Sequence, residues 1–237
     1  MSFIIAVHVN EGIVLASDRR TTYQNTKQNG NIVTVNFGIH TTNSTDKTFI
    51  CPNGCGISTC GDSSIGGKPI TGYIQQFIRE KVNEKTKVSD IPQMMIDFFS
   101  VYQPIPDTNF IVAGYIENGQ EKEQAIFKIQ LKDSTIIPVD TVNQGATWNG
   151  EILTLTRLLQ NCALRNNDGT YTDLPDNEIC WNFFTLQDAV DFAKYAVETT
   201  IKTMHFLNTV ETVGGNVDLL VITPDKTEWL EKEKLHS

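Results

Sequence analysis

The chain has 237 residues, 40% of them hydrophobic and 20% charged, and a formal net charge of −9. This size and composition suit one soluble globular domain, so we expect residues 1–237 to fold as a single domain. The acidic balance, with no cluster of Lys or Arg to offset it, argues against a nucleic-acid partner. The apolar runs are only strand-length, which argues against a membrane partner.

The five cysteines predict free thiols in a reducing compartment. Their number is odd and the first residues do not resemble a signal peptide, which favours a cytoplasmic location. Cys51, Cys55 and Cys60 lie close together, but their spacing matches no standard zinc pattern and no nearby His completes one. We therefore expect no metal site and no cofactor.

The amino-terminal half predicts strands followed by two helices. Apolar runs over 3–9 and 12–18 predict a hairpin, and the polar stretch 19–46 contains only one short predicted strand, over 31–36. Two close strands follow, joined by a turn at Pro52-Asn53-Gly54. Apolar stripes at helical spacing then begin at Ile70 and at Met94.

The second half repeats this alternation of strands and helices. Strands are predicted over 109–115, 125–129 and 135–137, and a third helix over 151–159. Thr185 and Asp188 form a capping-box pair at the start of a fourth helix. Strands over 217–222 and 227–230 end the pattern. We therefore expect an α+β fold: a four-layer αββα sandwich with two antiparallel sheets packed between helix pairs.

Four segments in this order resemble the proteasome β-subunit family of N-terminal nucleophile (Ntn) hydrolases. Together they extend over nearly the whole chain, and the resemblance implies the Ntn hydrolase fold. The segments are Ser2 through Arg20, Lys47 through Gly61, Asn109 through Tyr115, and Gly214 through Trp229.

The resemblance implies a catalytic set of four residues. Ser2 falls on the family's N-terminal nucleophile, Asp18 on its acid, Lys47 on its catalytic lysine and Gly61 on its oxyanion-hole glycine. Removal of Met1 would expose Ser2, whose α-amine titrates near pH 8 and can act as the base for its own hydroxyl. Lys47 would tune that amine, and Asp18 would hold Lys47 charged.

The same resemblance predicts a substrate groove. Arg20, Thr22, Thr59 and Ser63 match positions that line or clamp it. Three supporting positions differ from the family, because Ala146, Val210 and Val213 stand where it has two hydroxyl residues and an acid. These groups would otherwise hydrogen-bond around the nucleophile.

The prediction from these residues is a proteasome-like peptidase subunit with serine in place of the family's threonine. Its implied partners are a peptide or protein substrate and further copies of the chain in a homo-oligomeric ring, and a regulatory unfoldase is a further candidate. Two alternatives stay open: a catalytically silent relative with a structural or binding role, and an Ntn hydrolase of small-molecule amides.

Overall fold

The computed structural model describes residues 2–29, 32–119, 121–175 and 178–234. These residues form an α+β fold with several antiparallel sheets and four α-helices. The helices are α1 (Ile70–Lys81), α2 (Ile91–Phe99), α3 (Leu153–Leu159) and α4 (Leu186–His205).

The first five-stranded sheet contains both strands of the amino-terminal hairpin. It has the spatial order β12-β1-β2-β15-β16, and its strands pair antiparallel. The strands are β1 (Phe3–Val9), β2 (Gly12–Ser17), β12 (Gly145–Gly150), β15 (Asp218–Ile222) and β16 (Thr227–Glu231). Every residue of β1 and β2 is buried, because both faces of this sheet are covered, and this explains their unbroken apolar runs.

The second five-stranded sheet has the order β11-β10-β9-β6-β5 and is also antiparallel. Its strands are β5 (Thr48–Ile50), β6 (Gly56–Gly61), β9 (Thr108–Asn118), β10 (Glu121–Gln130) and β11 (Thr135–Pro138). Three two-stranded ribbons complete the described strands: β3 (Thr21–Asn29) with β4 (Ile32–Thr42), β7 (Ser64–Ile65) with β8 (Lys68–Pro69), and β13 (Ala163–Arg165) with β14 (Tyr171–Asp173).

Three apolar clusters hold these elements together. One contains residues of both five-stranded sheets, such as Leu15 and Leu220 from the first and Ile111 from the second. Another packs α1 and α2 on the second sheet, and the third packs α3 and α4 on the first. The arrangement is compatible with a sandwich of sheets and helices.

Helix α4 begins where the sequence predicts it. The Thr185 hydroxyl accepts a hydrogen bond from the Asp188 N–H, and the Asp188 carboxylate accepts one from the Thr185 N–H. This capping box satisfies two backbone donors that the first turn would leave unpaired. The predicted box is confirmed.

Several strand regions escape the sequence prediction, including the short ribbons β7–β8 and β13–β14. The stretch 19–46 forms the long ribbon β3–β4, where only a strand over 31–36 is predicted, and Asn31 itself lies outside the described residues. Strand β3 is polar and lacks the alternation of a half-buried strand. Strand β4 does alternate, with Val33, Val35, Phe37 and Ile39 between polar residues or glycine, and Asn29-Gly30 is a hairpin-turn signal, so the sequence carries a strand pattern that continues beyond residue 36. Strand β12, which pairs with β1, was missed because its short run Gly-Ala-Thr-Trp-Asn-Gly has no such alternation.

No helix among the described residues is long and apolar enough to span a membrane. Within the same ranges, no group of three or more His, Cys, Asp or Glu side chains is placed to hold a metal ion.

Leu15 tests the packing between the two sheets, because its side chain is fully buried there. We expect Leu15→Ala to lower the free energy of unfolding by about 2–5 kcal/mol, from lost burial and the cavity left behind. Leu164→Ala, at a leucine that is 56% exposed, is the matched control and should cost far less. Urea denaturation measures both, and equal losses would contradict the assigned core.

Candidate active site

The buried carboxylate of Asp18 is the centre of the site. Asp18 follows β2, is fully buried, and accepts four hydrogen bonds. Oδ1 accepts from the Phe3 N–H at 3.0 Å and from Lys47 Nζ at 2.7 Å. Oδ2 accepts from the N–H groups of Arg20 and Gly214, both at 3.0 Å. One carboxylate therefore connects four segments of the chain.

Lys47 lies just before β5 and is also buried, at 3% exposed. Its ammonium donates to Asp18 and to the carbonyl oxygen of Arg20. Burial has the largest effect on the pKa of Lys47 and lowers it, while the charge and hydrogen bond of Asp18 raise it; the net direction is downward. A lysine whose pKa falls in this way can give up its proton more readily to a neighbouring group.

Ser2 lies at the open end of the space between the sheets. It precedes β1, where Ile4 and Ala6 face the second sheet, so by strand alternation its side chain points the same way. Its carbonyl oxygen accepts a hydrogen bond from the Glu151 N–H at 2.8 Å. A Cβ on Gly150 (φ +94°) would lie 1.8 Å from that oxygen, so this approach requires glycine. Met1, whose removal the prediction requires, lies outside the described residues.

Gly61 ends β6 in a conformation that also requires glycine. Its φ is +111°, and a Cβ would lie 2.4 Å from the carbonyl oxygen of Asp107. Two residues earlier, the Thr59 N–H donates to the Lys47 carbonyl oxygen at 2.8 Å. N–H groups of a strand point to the same edge at every second residue, so the Gly61 N–H is expected on the same edge of β6 as the Thr59 N–H. This is the edge that pairs with β5.

A cleft of about 860 Å³ opens at Ser2 and also contains Cys60 and Gly61 in its wall. A smaller cavity shares these three residues and adds Lys47 and Thr59. The structure thus brings Ser2, Lys47 and Gly61 to one cavity, with Asp18 directly behind Lys47. No histidine is among the described residues that line the cleft.

The four predicted groove residues are placed in different ways. Thr22 and Ser63 line the cleft, and Thr59 lines the smaller cavity with a buried hydroxyl that has no hydrogen-bond partner. Arg20 is not in either lining, because its guanidinium binds Glu211 and the side chain of Asn43. Glu211 has a pKa below its usual value, owing first to Arg20 and then to His205.

The three positions that differ from the family carry apolar side chains in different places. Ala146 pairs with Val7 in the ladder and packs on the helix side of the sheet, away from Ser2. Val213 is buried in that same apolar cluster, and Val210 lines the cleft. The neighbouring Thr212 hydroxyl contacts Met204 Sδ at 3.7 Å.

The sequence did not predict the charged residues that surround this site. Asp46 accepts hydrogen bonds at Oδ1 from Arg19 at 2.8 Å and from Lys232 Nζ at 2.7 Å. Burial alone would raise the pKa of Asp46, but Lys232 and Arg19 lower it below the usual value. These residues lie far apart in sequence, and no local spacing joins them.

Asp18→Ala tests the central carboxylate. Because it would leave Lys47 buried without its partner and free three other donors, we expect a loss of about 3–5 kcal/mol in the free energy of unfolding. Asp107→Ala, at an exposed partner of Lys132, is the matched control and should cost much less. Urea denaturation would contradict the assignment if the two losses were equal.

Asp46 predicts a dependence of stability on pH. Because its pKa is lowered in the folded chain, ionised Asp46 stabilises the fold at neutral pH, and this contribution disappears as the pH falls through the folded-state pKa, below about 4. We expect Asp46→Asn to be less stable than wild type at pH 7 and the difference to shrink at pH 3. Asp133→Asn, in an exposed turn, is the control. A difference that is constant with pH would contradict this role of Asp46.

Comparison with known proteins gives structural neighbours only. No protein-family model and no curated protein sequence matches the chain. Among solved structures, the Gly-1 mutant of Anbu from Hyphomicrobium sp. strain MC1 is 13% identical with a TM-score of 0.59, over 98% of this chain and 86% of that one. Another Anbu structure from the same strain is 14% identical with a TM-score of 0.59, over 98% and 88% of the two chains.

These comparisons correct the family suggested by the sequence. Membership of the proteasome β-subunit family is not supported, since no family model matches and the solved neighbours are Anbu structures. The motifs that suggested that family are short, and the fold alone can account for them. At 13–14% identity the likeness shows a shared fold and nothing finer.

Proposed function

We propose that this chain is a peptide-bond hydrolase in which Ser2 is the N-terminal nucleophile once Met1 has been removed. One observation carries the proposal: Asp18 Oδ1 accepts both the N–H of Phe3, the residue after Ser2, and the ammonium of Lys47. A single carboxylate oxygen thereby holds a buried lysine beside the chain that carries the hydroxyl. This contact supports an amine-activated serine, because it fixes the lysine close to the start of the strand that Ser2 precedes.

The reaction would proceed through an acyl-enzyme. Ser2 Oγ attacks the carbonyl carbon while its proton passes to the α-amine of Ser2, directly or through water. The Gly61 N–H stabilises the negative oxygen that forms, an effect worth about 3 kcal/mol in comparable sites. The amine then gives the proton to the leaving nitrogen as the C–N bond breaks, and water hydrolyses the resulting ester.

Lys47 supports this amine. Its positive charge disfavours protonation of the Ser2 amine, which keeps that amine available as a base. Its own lowered pKa also makes it able to share a proton with its neighbours. Asp18 keeps the lysine in place against the cost of its burial.

Ser2 is a better nucleophile candidate than the neighbouring thiol. Cys60 lines the same cleft, but burial raises its pKa to about 12, so it remains protonated at neutral pH. A Ser-His pair is not available either, because no described cleft residue is histidine.

The sequence also suggests how the chain would bind its substrate and assemble. The cleft would take an extended peptide, with Thr22 and Ser63 along its wall and the unpaired Thr59 hydroxyl available to a bound group. Arg20 would support the site through its backbone, whose N–H donates to Asp18 and whose carbonyl oxygen accepts from Lys47. The chain would form one domain with the four-layer Ntn arrangement and assemble as a homo-oligomeric ring in the cytoplasm, with an unfoldase as a candidate partner.

A catalytically silent protein is the second candidate. It is favoured by the lack of supporting groups for Ser2, because Ala146 and Val213 pack in the apolar cluster on the helix side of the sheet and Val210 adds only an apolar side chain to the cleft. In that case the same fold would serve assembly or binding. The two candidates differ in one measurable property, the reactivity of Ser2.

Reaction with a β-lactone inhibitor tests the proposal. We expect untagged protein to lack Met1 by intact mass and to gain the inhibitor mass at Ser2, because the free amine activates the hydroxyl. Ser2→Ala should abolish the adduct, while Ser63→Ala, a hydroxyl in the same cleft, should keep it.

Retention of Met1 would contradict self-activation by Ser2. An adduct that persists in Ser2→Ala would show that another residue is the nucleophile. Loss of Met1 with no adduct, and no cleavage of peptides, would favour the silent candidate.

A further inference from the structure

Five charged side chains form a cluster next to the site, which we call the charge clamp: Arg19, Asp46, Asp218, Lys232 and Glu233. The Arg19 guanidinium binds Asp46 at 2.8 Å and Asp218 at 2.7 Å. Lys232 Nζ binds the same two oxygens, at 2.7 and 2.9 Å. Two cations and two carboxylates thus form a closed ring, and Glu233 adds a 3.0 Å contact to Arg19 Nε.

The charge clamp is buried at Arg19 and Asp218 and partly exposed at its other three members. Asp218 is fully buried and Arg19 is 5% exposed, whereas Lys232 is 22% exposed and lies over the Trp229 ring at 4.5 Å. Ion pairs in such surroundings are screened far less than surface pairs, and a charge left without its partner is costly.

Its members adjoin the residues that would carry out the reaction. Arg19 directly follows Asp18, and Asp46 directly precedes Lys47. Asp218 pairs in the ladder with Ser17, the residue before Asp18. Moving Asp46 away from Asp218 would therefore separate the backbone that carries Lys47 from the backbone that carries Asp18.

We propose that Lys232, after the last strand, is a positioning residue for Lys47 and acts through Asp46. This inference rests on the proposed function for its effect on the reaction, but the contacts that carry it are independent of Ser2. Lys232 directly follows β16 and binds Asp46 and Asp218. The carboxyl-terminal segment would therefore help to hold Lys47 in place.

The electrostatics explain why Lys232 is needed. Without Lys232, Asp46 and Asp218 would each lose one of the cations that bind them, and the two carboxylates would repel each other more strongly at close range. Asp46 is the more exposed of these two acids, at 33%, so it would move toward solvent and take Lys47 with it. A displacement of about 1 Å in a catalytic group can lower a rate about 100-fold.

The experiment compares Lys232→Met with Lys232→Arg and with Lys226→Met. Lys226 lies in the turn before β16 and pairs with Glu228 while 63% exposed, so it controls for loss of a lysine nearby. We expect Lys232→Met to slow β-lactone addition at Ser2 by at least about tenfold. Lys232→Arg should restore most of the rate, because its charge is kept, and Lys226→Met should react like wild type.

Hydrogen exchange gives a readout that does not need activity. In Lys232→Met we expect faster amide exchange over residues 43–48 and unchanged exchange over α1. If wild type itself does not react, the proposed function fails while exchange still tests the positioning role. Exchange over 43–48 that is unchanged in Lys232→Met would overturn the inference, as would a wild-type rate of addition in that variant.

Discussion

The burial of Asp18 is the constraint on which the rest of the site depends. A carboxylate without access to water is costly unless donors surround it, and here four donors from separate segments meet it. Those donors belong to the amino terminus, to the start of β3, to Lys47 and to Gly214. The requirement to satisfy one charge therefore sets the relative positions of Ser2 and Lys47.

The charge clamp further restricts the positions of the segments next to Asp18 and Lys47. Ionic contacts fix both ends of the segment between Arg19 and Lys47. Arg19 and Asp46 do this at the two junctions, and Asp218 and Lys232 bring the last two strands to the same point. These contacts hold together the residues at the two ends of the segment that contains the β3–β4 ribbon.

A shared fold does not establish a shared activity, so the reaction must be inferred from the residues of the site. The Anbu structures match the chain over 98% of its length at 13–14% identity, which shows how far sequences can diverge within one backbone arrangement. Short motifs around Asp18 and Gly61 suggested a narrower family than the comparisons support. Such motifs occur at strand ends and at turns that require glycine. Proteins can share these features because they share a fold, even when they do not share a reaction.

Elements with strong periodicity could be predicted from the amino-acid sequence. The buried strands β1 and β2, the stripes of α1 and α4 and the capping box at Thr185 are local patterns, so they can be read from neighbouring residues. The folded structure was needed for the non-local features: the pairing of β3 with β4, the pairing of β12 with β1, and the contacts of Lys232 with Asp46. A hydrogen bond across 186 positions leaves no spacing to detect, because the fold brings the two residues together.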